Sequence, residues 1–366
     1  MKRKPRSRLS IILVMLLGLA IFGSVYYTWN TTTEVFQPAN SSDTRRVSFE
    51  VAKGDNATTI ADKLKQSGLI RNPLAFRLWA RVRGLDTHLQ AGVYDKLSPS
   101  MTISQIIDQL LEAQPDATRI LVKEGVRLEQ IAQAFSAAEP KLVNFKEADF
   151  LNYTKHINKF PDAGKYPILK TVPANRSMEG LLFPATYDIP IDATAQDVMN
   201  IMLKATTDAI QKNNLEKLGK DHKLTLYQVF ILASVIEREA RFPDDRPGVA
   251  SVYWNRIFRP NDETVSLLQA DPTVQYARDS QNPPKTYWGQ LQDSGGNVAP
   301  DSPWNTYTHQ GWPPTPICSP GLASLQAAAS PPHSDNYFFL AKKDGHNVYA
   351  KTKADFEKLL AQYPQQ

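Results

Sequence analysis

Glu237 and Glu239 stand two residues apart where the apolar stretch LASVIEREARFP, Leu232–Pro243, comes to an end. A carboxyl group in the last turn of a buried helix faces the negative end of the helix dipole, and burial penalises its ionised form as well. Both effects raise its pKa toward neutrality, where a carboxyl can give up a proton and later take one back. At 100° per residue the two side chains project about 200° apart, so they cannot serve the same substrate atom. Glu237 shares its face with Phe230, Ala233 and Ser234, where small side chains leave room for a groove. Glu239 turns toward Leu232, Val235 and Ile236, where a salt bridge to a nearby arginine would hold it. Both also read as ordinary acids at a helix end.

Further polar groups are spread along the chain. Glu179 lies in SMEGLLFPATYDIP beside Gly180, Asn255 and Arg256 in GVASVYWNRIF, and Gln269 and Asp271 in LLQADPTVQYA. Gln269 and Asp271 suit sugar hydroxyls or, equally, backbone amides, and Asp271 before Pro272 suits a helix N-cap. The proline-rich segment 282–332 contains NTYTHQGWPPTPICSPG. Tyr307 and Trp312 there suit either a wall for sugar faces or a rigid packed loop. The six histidines form no HExxH pattern, no nucleotide-binding loop or GxSxG turn occurs, and Cys318 is the single cysteine. Carboxylate acid/base chemistry on a glycan is what remains.

The elements that must position these groups are readable in outline. Thr225 followed by Gln228 forms a capping box ahead of a helix that is apolar all round, as in the middle of a helical core, and Pro243 ends it near Ala240 or Arg241. Asp192–Asn213 has helical periodicity, and NYFFLAKKDGHNVYAKT forms a hairpin turning at Asp344–Gly345. Residues Ser136–Pro173 form a looser region. A strand–glycine–helix unit occurs twice, with Gly54 before Ile60–Ala61 and Gly125 before Ile131–Ala132. At the start, the apolar run Ile11–Tyr27 with Trp29 behind it follows Lys2, Arg3, Lys4, Arg6 and Arg8, which balance the net charge of +5 by themselves. That pattern is expected of a membrane anchor with its N-terminus in the cytoplasm, and it leaves no basic surplus for nucleic acid. The expected organisation is a tail at 1–10, an anchor at 11–29, a linker at 30–46, a small module at 47–118 and a catalytic region at 119–362.

MEGLLFPATY, ASVIEREA, VASVYWNRI, LLQADPTVQY, SPWNTYTHQGWPPTPICSPG and FFLAKKDGHNVY, in that order, resemble the endolytic murein transglycosylase family, the YceG-like, membrane-anchored lytic transglycosylases. The resemblance implies an α+β fold with one N-terminal transmembrane helix, a LysM-like α/β module at 47–118 and a mixed α+β catalytic domain around a buried central helix. It implies cleavage of peptidoglycan glycan strands without water, with no metal or organic cofactor. The first acid of the family's ASxxExE pattern falls on Glu237, which would act as acid and then base. Glu239, Glu179, Asn255, Gln269, Asp271, Asn305 and Tyr307 would support it or bind sugars. Glycan strands, the lipid bilayer and the cell-wall synthesis machinery would be its partners, and the bacterial inner membrane its location, crossed once with the catalytic domain outside. Two alternatives stay open: a glycan-binding septal scaffold without activity, and a hydrolase using a second carboxylate such as Asp271 or Glu179.

Overall fold

The computed structural model describes residues 36–364 apart from 53, 85–91, 113–116 and 293–294. The chain forms two compact units, one ending at Ala117 and the other beginning at Thr118.

In the first unit, β1 (Val47–Val51) pairs antiparallel with β2 (Gly92–Leu97), Phe49 opposite Tyr94. Alternation along β1 buries Phe49 and Val51. Gly54, at φ +95, turns the chain into α1 (Ala57–Gln66), where the Asn56 side chain accepts from the amides of Thr58 and Thr59. Ile60, Ala61 and Leu64 recur at helical spacing and are buried. Asn72 caps α2 (Pro73–Val82) in the same way, with proline in its first turn. Together with α3 (Ile103–Glu112), these elements enclose a core that includes Phe76 and Ile106.

The second unit carries β3 (Ala117–Leu121), which belongs mostly to it, α4 (Leu128–Ser136), α5 (Glu147–Lys155), β4 (Thr186–Pro190), α6 (Ala195–Lys212) and α7 (Leu215–Asp221). Its centre is α8 (Leu226–Glu239), which begins at the Thr225–Gln228 capping box and stops at Ala240 in an extended conformation. Every residue from Val229 to Ile236 is buried. Each large aliphatic or aromatic side chain so placed contributes about 1.5–3 kcal/mol. Around α8 pack α9 (Arg246–Phe258), α10 (Asp271–Gln281) and α11 (Leu322–Ala329). The β5 (Phe338–Ala341) and β6 (Asn347–Ala350) hairpin and α12 (Lys353–Gln362) complete the unit, with Gly345 at φ +89 in the hairpin turn.

The two strand–glycine–helix units have different surroundings. β1 pairs with β2, and a Cβ at Gly54 would meet open space. β3 pairs with β4, and a Cβ at Gly125, where φ is +74, would lie 3.1 Å from Arg238 Nη1 and 3.8 Å from Glu237 Cγ. The second copy is therefore built against the end of α8. Within the region read as loose, α5 forms on little apolar periodicity, because only Phe150 and Thr154 of it are buried.

The fold is α+β, but the expected transmembrane helix needs correction. Among the described residues no helix is long and apolar enough to cross a membrane, and the run Ile11–Tyr27 lies outside those residues. The sequence expectation rested on an apolar run with basic residues before it and Trp29 behind it, a pattern of composition that by itself shows neither a helix nor its surroundings. The anchor, the bilayer as partner and the single-pass inner-membrane location are therefore not carried forward.

Candidate active site

The last turn of α8 presents its two glutamates to different surroundings. Glu237 Oε1 accepts from Arg246 Nη2 at 3.0 Å, and Oε2 accepts from the Gly321 amide at 2.9 Å and Ser324 Oγ at 2.7 Å. The side chains of Glu237 and Arg246 are 6% and 8% exposed. Glu124 reaches the same guanidinium at 3.5 Å. Burial raises the Glu237 pKa, while Ser324, Gly321 and Arg246 pull it down. The three donors leave the carboxylate committed to a brace that joins α8 to α9 and α11.

The groove expected on this face is filled. Ser234 Oγ donates to the Ile231 carbonyl at 2.7 Å and accepts from the Ile317 amide at 3.0 Å, and Cys318 Sγ donates to the Ser234 carbonyl at 3.3 Å. The small side chains there admit backbone from the 316–319 segment.

Glu239 has a neutral donor. Tyr253 Oη, on the buried face of α9, donates to Glu239 Oε1 at 2.8 Å. No salt bridge to Glu239 occurs among the described residues, contrary to the expected arginine partner. Burial lifts the Glu239 pKa to about 7; Tyr253 opposes this, the Asp271 charge adds to it, and Arg256 and Arg238 oppose it from further off. As a residue Glu239 is half-buried, as Glu237 is.

Asp271 and Tyr307 stand beside it. Asp271 is the first residue of α10 and does not cap it; Ala270 occupies the cap position, and Asp271 Oδ1 accepts from Tyr307 Oη at 2.6 Å. Arg256 is fixed by donating Nε to the Tyr337 carbonyl at 2.8 Å and Nη1 to the Leu268 carbonyl. The Gln269 side chain lies 3.5 Å from Arg256 Nη1. The backbone entering α10 is strained, with positive φ at Val265, Ser266 and Gln269. Such strain in residues with side chains is unfavourable and collects at sites where position matters.

The remaining expected site residues hold structure. Asn305 is fully buried; its Nδ2 donates to the Gly295 and Val298 carbonyls while its Oδ1 accepts from the Tyr307 amide, which aims Tyr307 at Asp271. Asn255 Nδ2 ties α9 to the Ser334 and Asn336 carbonyls. Glu179 belongs to another buried cluster, where it accepts from the amides of Leu128 and Gly180, each at 3.2 Å, beside Arg127 and Tyr276. Burial raises its pKa to about 8. Trp312 packs 6.2 Å from the Phe258 ring.

The sequence reading passed over Tyr253, Arg246 and Ser324. Tyr253 lies on the apolar face of GVASVYWNRIF, and a buried tyrosine needs a partner for its hydroxyl, which was the available signal. Arg246 and Ser324 gave none, because nothing local marks a partner nine or 87 positions from Glu237.

Residues 49–362 match the model of the YceG-like family. The chain is 30% identical to an endolytic murein transglycosylase of Bacillus subtilis over 90% of its own length and 88% of that protein's. It is 27% identical to an endolytic murein transglycosylase of Streptococcus pneumoniae, covering 92% of this chain and 62% of that one. The crystal structure of a YceG-like protein of Listeria monocytogenes superposes with a TM-score of 0.53 at 32% identity, over 86% of this chain and 99% of the other.

Proposed function

The chain belongs to the YceG-like family, and from that membership we propose that it is an endolytic murein transglycosylase. It cuts peptidoglycan glycan strands internally, between N-acetylmuramic acid and N-acetylglucosamine, and leaves 1,6-anhydromuramic acid ends. The carboxyl group we assign to the proton transfers is Glu239. The observation that carries this assignment is its setting: a carboxyl near pKa 7 held by one neutral hydroxyl, where Glu237 is held by three donors.

At neutral pH a good fraction of Glu239 is protonated. It donates that proton to the glycosidic oxygen as the bond from that oxygen to the muramic acid C1 breaks. The muramic acid C6 oxygen bonds to C1 and gives its proton to the carboxylate just formed, which restores the starting acid. One carboxyl serves both steps because the nucleophile belongs to the substrate. Tyr253 fixes the orientation of the carboxyl, and the Asp271 charge beside it favours positive charge at C1 in the transition state.

Glu237 is the residue that the family pattern suggested for this role. Its setting favours it less, since three donors already occupy its two oxygens. In this reading Glu237 supports the turn that carries Glu239. The module at 47–118 is proposed to hold the strand, and the region 119–362 to cut it.

The test is a count of chain ends made by folded Glu239→Gln and Glu237→Gln proteins at matched concentration. Loss of anhydro ends in the first alone supports the assignment; loss in a folded Glu237 variant alone returns it to Glu237. A hydrolase reading has one observation in its favour, the Asp271 carboxylate next to Glu239, and would give reducing ends in place of anhydro ends.

A further inference from the structure

An open cleft of about 530 Å³ lies in the first unit, between the start of α1 and the length of α2. Asn56, Thr58, Leu74, Arg77, Leu78 and Arg81 line it. Leu74 and Leu78 are each 56% exposed, one helical turn apart, and Arg77 and Arg81 form a second row with the same spacing. Two like charges four residues apart on a helix repel, and neither guanidinium has a hydrogen bond or ion pair among the described residues. Arg77 Nε is enclosed without a partner. The cleft's own acid, Asp55, is already bound by Lys63 and the Ala52 amide.

These walls do not suit a sugar. Among the described residues no aromatic ring lines the cleft to stack on a pyranose face, and with Asp55 already bound the charged groups left to a ligand are cations. Guanidinium groups pair with carboxylates, often through two parallel hydrogen bonds, and exposed leucines accept small apolar side chains. A peptide with free carboxylates and alanine methyl groups meets both requirements. The glycan strands of the proposed substrate carry such peptides on their muramic acid residues.

We propose that this cleft binds the peptide stems of peptidoglycan, with Arg77 and Arg81 receiving stem carboxylates and Leu74 and Leu78 the alanine side chains. The inference rests on the reading of the chain as a peptidoglycan enzyme and adds that the first unit distinguishes peptide-bearing strands from bare ones.

The experiment titrates the full chain, by calorimetry, with a stem tripeptide of L-alanine, D-glutamate and a diamino acid, with the same peptide amidated at its carboxyl groups, and with peptide-free glycan strands. The double variant Arg77→Gln/Arg81→Gln is compared with the natural protein after its thermal midpoint has shown it folded. The expected result is tripeptide binding that weakens at least ten-fold on amidation and on substitution. Equal affinity for the amidated peptide, or no effect of the substitutions, overturns the proposal. So does binding to anionic phospholipid vesicles that the substitutions abolish when the peptide itself does not bind. Absence of anhydro ends in the natural protein, with peptide binding intact, instead counts against the transglycosylase reading and leaves the cleft's ligand standing.

Discussion

Glu237 and Glu239 are the same residue on the same helical turn, and their neighbours give them different chemistry. Around Glu237 stand a guanidinium, an amide and a hydroxyl, all donating. Around Glu239 stand a neutral phenol, a nearby carboxylate and Arg256, whose hydrogen bonds go to backbone carbonyls. Burial raises both pKa values, so burial does not separate them. What separates them is whether the oxygens are already taken. A committed carboxylate stabilises a fold, and an uncommitted one can exchange a proton.

The largest effect that can break this comparison is on turnover. Glu239→Gln keeps size and shape but cannot transfer a proton, so anhydro-end formation should fall by about 10²- to 10⁴-fold, roughly 3 to 5 kcal/mol in the barrier. A folded Glu239→Gln protein with near-normal turnover would end the assignment.

Stability gives the next effect. Glu237→Gln leaves the Arg246 charge enclosed with only Glu124 near it, so the second unit should lose about 2–4 kcal/mol in denaturant unfolding. Part of the activity should survive wherever the protein stays folded. A Glu237→Gln protein as stable as the natural one would show that the brace carries no energy.

Stability against pH sharpens the contrast through its sign. The folded state holds the Glu239 proton up to about pH 7, whereas an unfolded glutamate releases it near its ordinary value of 4.5. Between those values the folded state binds more protons, so this group lowers stability as pH rises, and the cost is complete above about pH 7. Glu239→Gln should remove the cost and raise stability at pH 8, on the order of 1 to 3 kcal/mol, with little change at pH 4. Thermal midpoints of the two proteins at both pH values check this. A fall in stability at pH 8 would mean that Glu239 is ionised and paired.

The smallest effects lie in the pH profile of activity. If Glu239 must begin protonated, turnover should decline above about pH 7. Tyr253→Phe removes a hydrogen bond that lowers the Glu239 pKa, and Asp271→Asn removes a charge that raises it. The first should move the decline to higher pH and the second to lower pH. Shifts in the same direction would show that neither neighbour acts through Glu239.

Local patterns in the sequence account for much of the fold and less of the site. The capping box at Thr225, the extended stop ahead of Pro243 and the turn at Gly345 are contained in a few adjacent residues, and each appears where the pattern puts it. The opposite directions of the two glutamates also follow from helix geometry alone. Which direction faces open space did not follow, because small residues at Ala233 and Ser234 suit a cavity and an approaching backbone equally, and the 316–319 segment supplies the backbone. The environment of Glu239 was hidden for the same reason. Its phenol comes from 14 positions away, and the Tyr307–Asp271 pair beside it joins residues 36 apart.

That spacing orders events during synthesis. Ser324, which completes the brace on Glu237, is made 87 residues after it. Closing so long a loop is entropically costly and slow compared with forming a helix. A growing chain can therefore wind α8 early and still lack the surroundings that set its two carboxyl groups apart. An activity that cuts a load-bearing polymer would then stay latent in every unfinished copy and switch on only as the last third of the chain folds into place.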